Sequence, residues 1–319
     1  MRSHSIAIAG GTGRIGRHIV EGLLEIKQQY SFELIVLSRS NSSDISFAGT
    51  SAPVIRVDYQ DVSSIQKVLN EHQVDTVIST VSATTASDAP DAFITSQETL
   101  LRAASSVPSV RRFAPSEFSV NSEQVPGVEL YQLKLPIIRL LRQIKQERPE
   151  FEYSLLNCGV FMNYLGYGNT KPDGHRAHGH MPHFPYVYDL SKRSADIPGD
   201  GEKQLIYTRA EDVGKFVAAA TQLEAWEEYY EMAGDVLSMN EILHLCEDAC
   251  GTKFDVKYNS REEIHARLGP PEKTMENFFV QFLLAIMDGD CDLNRPLNLN
   301  KAVDVKPMTV EQYLKRWWV

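Results

Sequence analysis

The segment "AIAGGTGRIGRHIV", residues 7–20, constrains the fold of this chain more than any other. Three glycines, Gly10, Gly13 and Gly16, follow a short apolar run and precede residues with helical apolar spacing. In that context Gly10 permits a tight turn, Gly13 lets the backbone approach a pyrophosphate, and Gly16 lets the helix pack closely on a sheet. The segment predicts a strand, a turn and a helix that bind a dinucleotide; a tight turn without a ligand is the alternative. The predicted contacts are Gly10, Thr12, Gly13, Arg14, Ile15 and Gly16.

The strand-and-helix pattern repeats through the first half of the chain. The apolar runs "FELIVLS", "APVIRVD", "VDTVIST" and "VRRFAPS" alternate with helical patterns, one ending near Arg102 and one following Lys134. Strands that are almost entirely apolar and alternate with helices are typical of a parallel sheet covered on both faces. We therefore predict an α/β fold with a Rossmann-type, doubly wound parallel sheet.

This pattern ends after "FEYSLLNCGVF". Residues 163–200 are rich in Gly, Pro, His and aromatic residues, and "KQLIYTRAEDVGKFVAAATQ" then predicts one more strand and helix. From about residue 223 the chain is predicted to form irregular helices and short strands. The length favours about two domains. We predict a dinucleotide-binding domain formed by residues 1–155 plus about 201–222. A smaller, discontinuous α+β substrate-binding domain would comprise about 156–200 plus 223–319.

Composition narrows the class of partner. A net charge of −10, with no basic block longer than Arg111-Arg112, argues against nucleic acid and anionic membranes. The four cysteines have no spacing typical of a secreted disulfide framework, so we expect buried thiols in a reducing compartment. No apolar run approaches the ~18 residues of a membrane span. We expect a cytoplasmic monomer or homodimer that acts on a small molecule.

The end of the second predicted strand indicates which dinucleotide is bound. An acidic residue there would bind the ribose diol of NAD, but "LIVLSRSNSS" has Ser38, Arg39 and Ser40 at that place. The planar guanidinium of Arg39 suits a 2′-phosphate, which favours NADP(H). The strand that ends in "ISTVSA" would run Ser79 to Ser82 beside the cofactor. Thr80 and Val81 are therefore further candidate contacts, with proximity without contact as the alternative.

Several motifs together indicate a family. They are "GGTGRIG" at 10–16, "SRS" at 38–40, "RRFAPSEFSV" at 111–120, Lys134, "YSLLNCGVF" at 153–161, "AEDVGKF" at 210–216 and the ending "VKPMTVEQYLKRWWV". Their order and spacing resemble the isoflavone-reductase-like, or NmrA-like, family of atypical short-chain dehydrogenases/reductases. The resemblance implies an NADPH-dependent reductase of a small aromatic or conjugated secondary metabolite. Because the family also contains NADP-sensing regulators, a non-catalytic regulator is one alternative, and a cofactor-assisted isomerase or cyclase is another.

Lys134 is the first candidate catalytic residue. The resemblance implies that a lysine at this place, 18 residues after Ser116, acts on the substrate or on the nicotinamide ribose. Pro136 is tolerated in a first helical turn, so Lys134 is expected at the positive end of a helix. Either a neutral amine acts as a base, or a charged one anchors the ribose and polarises a substrate oxygen. Tyr131, three residues earlier, is interpreted as a pocket wall, with a catalytic acid as the alternative.

Other residues follow from the resemblance. Ser116, Asn157 and Gly159 lie in segments that border the nicotinamide in the family. The predicted substrate pocket comprises Glu117, Phe118, Phe161, Tyr164, Tyr167 and His180. Plant members have glycine where this chain has Ser119, and this difference weakens any transfer of their substrates. Two Tyr-x-x-x-Lys matches, at 167–171 and 188–192, lie in the region rich in Gly and Pro and are interpreted as chance.

Histidines are concentrated in "HRAHGHMPHFPYVYDL", at positions 175, 178, 180 and 183. Some members of the family that this chain resembles have a proton-donating histidine in the corresponding segment, but this chain has no histidine between Phe113 and Lys134. We therefore name His178 as a candidate donor on a substrate-pocket lid, with simple loop composition as the alternative. No cysteine or acidic residue is interleaved at a zinc-site spacing, and no metal is predicted.

Overall fold

The computed structural model describes residues 2–81, 90–184, 186–271, 274–293 and 295–319. The strands are β1 Ser5–Ala9, β2 Glu33–Ser38, β3 Ile45–Phe47, β4 Thr50–Ala52, β5 Val54–Arg56, β6 Thr76–Ser79, β7 Arg112–Ala114, β8 Glu152–Tyr153, β9 Leu155–Asn157, β10 Val160–Phe161, β11 Tyr188–Asp189, β12 Ser194–Pro198, β13 Gln204–Thr208, β14 Tyr229–Glu231, β15 Asp235–Ser238 and β16 Asp255–Asn259. The α-helices are α1 Arg14–Tyr30, α2 Val62–Glu71, α3 Pro90–Ser106, α4 Glu129–Gln132, α5 Leu135–Glu147, α6 Ala210–Ala220, α7 Met239–Cys250, α8 Arg261–His265, α9 Thr274–Asp288, α10 Asn298–Ala302 and α11 Val310–Trp318. Short 3₁₀ turns lie at Ser122–Gln124, Met162–Gly166 and Gly174–Arg176.

A six-stranded parallel sheet with the order β5-β2-β1-β6-β7-β8 forms the centre of the N-terminal half. All five residues of β1 are buried, because helices cover both faces of the sheet. The strand order reverses at β1, which has β2 on one side and β6 on the other. In open sheets of this type the crevice at such a reversal, outside the carboxyl ends of the strands, binds ligands. The predicted α/β fold with a parallel sheet is confirmed.

The two faces of the sheet bury different sets of side chains. Ile6 and Ile8 of β1 point into the core that holds α1 and α6, whereas Ala7 and Ala9 point into the core that holds α2, α3 and α5. Helices α1 and α6 cross closely: a Cβ on Gly22 would lie 2.4 Å from the carbonyl oxygen of Gly214. Glycine is required at this crossing because any side chain would separate the two helices.

The C-terminal part contains more regular helices than the sequence predicted. Helix α7 has 12 residues, begins with a capping box between Ser238 and Glu241, and ends at Gly251 with φ 65°. Helix α9 has 15 residues. The prediction of irregular helices from residue 223 onward is therefore wrong for these two. Cap residues stabilise the ends of α7, and both helices pack an apolar face into the core. Helix α3 also continues past Arg102, to Ser106.

Smaller sheets complete the second half. Strand β13 pairs with β10 in parallel and with β15 antiparallel, and β12 lies between β11 and β16. Helix α6, which follows β13, packs against α1, so the 201–222 segment contacts both halves of the molecule. The domain boundaries stay a prediction. Across the described ranges, no helix is both long enough and apolar enough to cross a membrane.

Candidate active site

The glycine turn presses the start of α1 against the ends of β1 and β6. Gly10 has φ 80°, a conformation that favours glycine, and a Cβ there would lie 3.0 Å from the Thr80 backbone. A Cβ on Gly16 would lie 2.4 Å from Thr80 Oγ1 and 2.5 Å from the Gly10 carbonyl oxygen. Gly13 differs, because no atom lies within 4 Å of the position its Cβ would take. The turn is therefore closed toward the sheet and open toward the cleft.

The N-terminus of α1 suits an anion. Its N-cap residue, Gly13, provides no side-chain cap, and the first helical turn has no acidic residue. The first N–H groups of a helix lack intrahelical acceptors, and the helix dipole adds positive potential there. Arg14 begins the helix with φ 52°, which is sparsely populated for residues other than glycine. Such an arrangement can accept a phosphate group.

A first cavity of about 260 Å³ lies in front of this turn. It is lined by Gly10, Thr12, Gly13, Arg14, Ser38, Arg39, Ser40, Tyr59, Thr80, Val81, Ala92, Phe93 and Ser96. The structure thus brings the glycine turn together with the ends of β2 and β6, as parallel strands with a common carboxyl edge require. Ser82 lies outside the described residues. We call this space the cofactor cleft.

Some residues of the cofactor cleft escaped sequence reasoning. Tyr59 follows β5 and donates a hydrogen bond from its OH to the Leu37 carbonyl, at 3.0 Å. Ala92, Phe93 and Ser96 belong to α3. Tyr59 could have been found, because it follows a predicted strand whose carboxyl end reaches the same edge as the others. The residues of α3 carry no such signal.

A second cavity of about 330 Å³ adjoins the cofactor cleft and shares Arg14, Thr80, Val81 and Phe93 with it. Its other lining residues are Ile15, Ser116, Glu117, Phe118, Ser119, Leu130, Tyr131, Lys134, Phe161, Tyr164, Met181, Pro182, His183, Phe184 and Phe278. Most of these side chains are apolar or aromatic, which is typical of small-molecule sites. We call this space the aromatic cavity.

Lys134 lies where the aromatic cavity meets the end of the sheet. It occupies the N-cap position of α5, with Pro136 in the first turn of that helix. Its Nζ donates a hydrogen bond to the Glu117 carbonyl oxygen at 2.8 Å and lies 3.9 Å from Glu117 Oε1. Burial lowers the pKa of Lys134, while the Glu117 carboxylate acts in the opposite direction. The hydrogen bond to the Glu117 carbonyl oxygen orients the Lys134 ammonium group.

Glu117 is buried beneath this lysine. Its Oε2 accepts a hydrogen bond from Ser122 Oγ at 2.6 Å. Burial raises the pKa of Glu117, and Lys134 partly offsets that increase. The next residue, Phe118, has φ 35° and donates its N–H to the Leu156 carbonyl. Backbone strain of this kind is concentrated at functional sites, where the surrounding contacts maintain it.

Tyr131 forms part of the wall of the aromatic cavity. It is buried, its ring contacts Phe278 edge-on at 5.3 Å between centroids, and its OH is hydrogen-bonded to Ser119 Oγ. Lys134 Nζ lies 4.8 Å from the centre of the Tyr131 ring. Burial raises the pKa of Tyr131, so the hydroxyl stays protonated.

Several predicted site residues lie outside both cavities. Asn157 is fully buried and donates from Nδ2 to Glu231 Oε1 at 2.8 Å. Gly159 lines a smaller cavity of about 70 Å³ that shares Ser119 and Tyr131 with the aromatic cavity. Tyr167 is 48% exposed. Gly16 lines neither cavity, and its part in the site is to set how closely α1 approaches the sheet.

The histidine-rich segment is divided between two places. His183, which was not among the predicted site residues, lines the aromatic cavity. His180 contacts α1 instead: its Nε2 lies 3.0 Å from Glu21 Oε1, and its backbone N–H donates to His18 Nε2 at 3.0 Å. His178 Nδ1 is buried without a hydrogen-bond partner in the described part of the chain.

His18 is a buried histidine of α1. Its side chain accepts the backbone N–H of His180, so the ring must be neutral at Nε2. Burial lowers the pKa of His18 to about 4. Ligand atoms of His18, Glu21 and His180 lie within 4.8 Å of one another, a group that could hold a metal ion. The hydrogen bond to His18 Nε2 competes with that use.

The chain is similar to proteins of one family over almost its whole length. A family model described as "NmrA-like family" matches residues 2–314. The chain is 34% identical over 249 residues to "Oxidoreductase BOA1" of Botryotinia fuckeliana, which covers 78% of this chain and 77% of that protein. It is 26% identical over 275 residues to "Phenylcoumaran benzylic ether reductase PT1" of Pinus taeda, covering 81% and 79% respectively.

Solved structures share the fold. A crystal structure of isoflavone reductase superposes with a TM-score of 0.73 at 22% identity, over 98% of this chain and 99% of that chain. A ternary complex of leucoanthocyanidin reductase from Vitis vinifera superposes with a TM-score of 0.72 at 18% identity, with the same coverage. A binary complex of that reductase with NADPH gives the same TM-score. At such identities the similarity concerns the fold.

Proposed function

Because the chain belongs to the NmrA-like family, we propose that it is an NADPH-dependent reductase of a small aromatic or conjugated secondary metabolite. The observation that carries this proposal is that the cofactor cleft and the aromatic cavity adjoin, with Lys134 lining the second. Relatives named oxidoreductase and phenylcoumaran benzylic ether reductase support it. The structural neighbour solved with NADPH supports the choice of cofactor.

The residues of the cofactor cleft fit NADP(H). The open side of Gly13 and the uncapped start of α1 would receive the pyrophosphate, because Gly13 has no side chain and the first helical turn has no acidic residue. At the other end of the cleft, Ser38, Arg39 and Ser40 would receive the 2′-phosphate. No carboxylate of the predicted NAD-binding kind follows β2.

The aromatic cavity fits a flat, apolar substrate. Phe161, Tyr164, Phe184 and Phe278 provide ring faces and edges on its walls. Its volume of about 330 Å³ lies within the range of small-molecule sites, which is about 300–1,000 Å³. Ser119 and Lys134 are among its polar lining residues, and they would receive polar atoms of the substrate.

The proposed chemistry divides between cofactor and protein. When bound, NADPH supplies a hydride to an electrophilic carbon. Lys134 then stabilises the negative charge that develops on an adjacent substrate oxygen, because its Nζ retains hydrogens beyond the one donated to Glu117. The Glu117 carbonyl fixes the direction of Nζ, and the apolar walls exclude water from the oxygen. Lys134 thus acts as a charged donor in this proposal.

The function is tested by turnover. The protein and its Lys134→Ala variant are incubated with NADPH and a panel of aromatic and polyketide extracts, and NADPH consumption and reduced products are measured. We expect reduction by the wild type and a loss of about 10²–10³-fold in the variant. Lys145→Ala, an exposed lysine on the same helix, is the matched control and should be unaffected.

Two outcomes of this experiment contradict the proposal. NADPH binding without any extract that distinguishes the wild type from Lys134→Ala would favour a non-catalytic NADP-sensing regulator. Conversion of a substrate without net consumption of NADPH would favour an isomerase or cyclase that keeps the cofactor as a fixed tool.

A further inference from the structure

Two hydroxyl groups meet at the inner end of the aromatic cavity. Ser119 Oγ and Tyr131 OH are hydrogen-bonded to each other, and both residues line the aromatic cavity and the adjoining small cavity of about 70 Å³. The pair therefore lies at the junction of the two spaces. Around this junction the walls are aromatic, formed by Phe161, Tyr164 and Phe278.

The number of hydrogens in this pair leaves one donor unused. Two hydroxyls carry two hydrogens, and their mutual hydrogen bond uses only one. Within the described ranges, neither Ser119 Oγ nor Tyr131 OH has a second hydrogen-bond partner. A donor that has no protein acceptor gains from any acceptor that enters the cavity, so the remaining hydrogen is available to a ligand. Tyr131 is only 6% exposed, and Ser119 is partly exposed where it lines the aromatic cavity.

The backbone holds the pair in position. The Ser119 carbonyl oxygen accepts the N–H groups of Cys158 and Gly159, at 3.0 and 3.1 Å. The residue before it, Phe118, adopts φ 35° and donates its own N–H to Leu156. Since both sides of Ser119 are fixed to the β9–β10 connection, the direction of its side chain is set before a ligand arrives.

We propose that the Ser119–Tyr131 pair donates its remaining hydrogen to an oxygen acceptor of the substrate, a carbonyl or ether oxygen attached to an aromatic ring. This inference rests on the proposed function only in taking the aromatic cavity as the substrate site. It makes Ser119 and Tyr131 specificity-determining residues, and it selects aromatic ligands that carry such an oxygen over equally large hydrocarbons.

A second hydroxyl pair provides the internal comparison. Tyr186 OH and Tyr207 OH lie 3.0 Å apart, and Tyr186 lines the small cavity. Neither tyrosine lines the aromatic cavity. Tyr186→Phe therefore removes a buried hydroxyl of the same kind, close by, without touching the proposed donor.

The test measures binding rather than turnover. Benzophenone and diphenylmethane differ only by a carbonyl in place of a methylene, and their dissociation constants are measured by calorimetry with saturating NADP⁺, so that no reduction takes place. We expect the wild type to bind benzophenone about tenfold more tightly. The double variant Ser119→Ala/Tyr131→Phe should bring this ratio close to one, because no hydroxyl remains. Tyr186→Phe should leave the ratio unchanged.

Three results would overturn the proposal: a wild-type ratio near one, a ratio that survives the double variant, or a ratio lost in Tyr186→Phe. Unchanged NADP⁺ affinity verifies that the double variant is folded. If it does not fold, Ser119→Ala alone decides, since it frees Tyr131 from its orienting partner and should lower the ratio at least threefold. Because the readout is binding, absence of reductase activity leaves this inference standing, and the two proposals fail separately.

Discussion

The cofactor cleft and the aromatic cavity adjoin, but different kinds of group line them. The cleft is built around the glycine turn and the carboxyl ends of parallel strands, to which Tyr59 and residues of α3 add side chains. The aromatic cavity is bounded by side chains from segments far apart in the chain, residues 116–119, 130–134, 161–164, 181–184 and 278. Backbone geometry depends on a few glycines at fixed spacing, whereas a side-chain cavity depends on which segments the fold brings together.

The different linings predict different roles for the cofactor cleft and the aromatic cavity. A site made of N–H groups and a helix terminus recognises phosphate in any ligand that carries it. A site made of particular side chains discriminates between substrates, because each unpaired polar atom or misfitted ring carries a cost. Substitutions in the cleft should therefore act on cofactor affinity, and substitutions in the aromatic cavity should act on turnover and substrate choice.

The largest expected effect concerns the charge of Lys134. If it acts as a charged donor, the reduction rate is highest while Nζ is protonated and falls about tenfold per pH unit above its pKa, which burial lowers. The pH profile of kcat measures this. Glu117→Gln should move the fall to lower pH, because the neighbouring carboxylate favours the charged lysine. A rate that rises with pH through the same range would instead identify a general base.

Paired alanine substitutions in the glycine turn test the backbone-built cleft. Gly16→Ala places a methyl group against Thr80 and the Gly10 carbonyl, and should destabilise the fold by about 1–3 kcal/mol as well as weaken NADPH binding. Gly13→Ala meets no atom and keeps an extended backbone with φ −159°. It should weaken NADPH binding while the free energy of unfolding, measured in urea, stays within about 0.5 kcal/mol. Equal losses of stability in the two variants would contradict this account.

His18 should make the junction between α1 and the histidine segment sensitive to acid. Its pKa is lowered from 6.5 to about 4, so the unfolded chain binds a proton that the folded protein excludes between those values. Stability contributed by neutral His18 is complete above pH 6.5 and lost as pH falls toward 4. Glu211, Glu21, His180 and Arg209 are the titratable and charged groups around it.

The measurement compares urea unfolding at pH 7 and pH 5. Between these values wild type should lose roughly 2 kcal/mol more than His18→Gln, which has no proton to bind. Identical pH dependence in the two proteins would show that His18 is free to protonate in the folded state. His175→Gln, an exposed histidine of the same segment, should behave as wild type.

The smallest effect is expected at Arg39. NADPH should bind at least about tenfold more tightly than NADH, since a charge-assisted contact to the 2′-phosphate contributes on this scale. Arg39→Ala should remove most of that preference without changing NADH affinity. Arg111→Ala removes an exposed arginine just before β7 and serves as the control. Equal affinities of the wild type for the two dinucleotides would exclude the phosphate role.

The parallel sheet and family membership were predictable because their signals are local. Apolar strands, helical spacing and the glycines from Gly10 to Gly16 each depend on a few neighbouring residues. The capping boxes that begin α7 and α11 were equally readable, as "SMNE" and "TVEQ", so the starts of these two helices could have been predicted. The error there was to give too little weight to cap chemistry.

The inner part of the site was not predictable, because it depends on contacts between distant segments. Ser119 meets the Tyr131 hydroxyl from 12 residues away, and Phe278 joins the same wall from the C-terminal half. No local pattern places His183 in the cavity and His180 on α1, since both lie in one short loop. The assignments of individual site residues therefore stay predictions, to be decided by the variants above.

The attachment of His180 to α1 also links the histidine segment to the cofactor side of the molecule. The segment that contributes Met181, Pro182, His183 and Phe184 to the aromatic cavity is fastened, through His180, to the helix whose first turn faces the cofactor cleft. Whatever steadies the beginning of α1 also steadies that wall. We therefore expect the shape of the aromatic cavity to depend on the contact between His18 and His180.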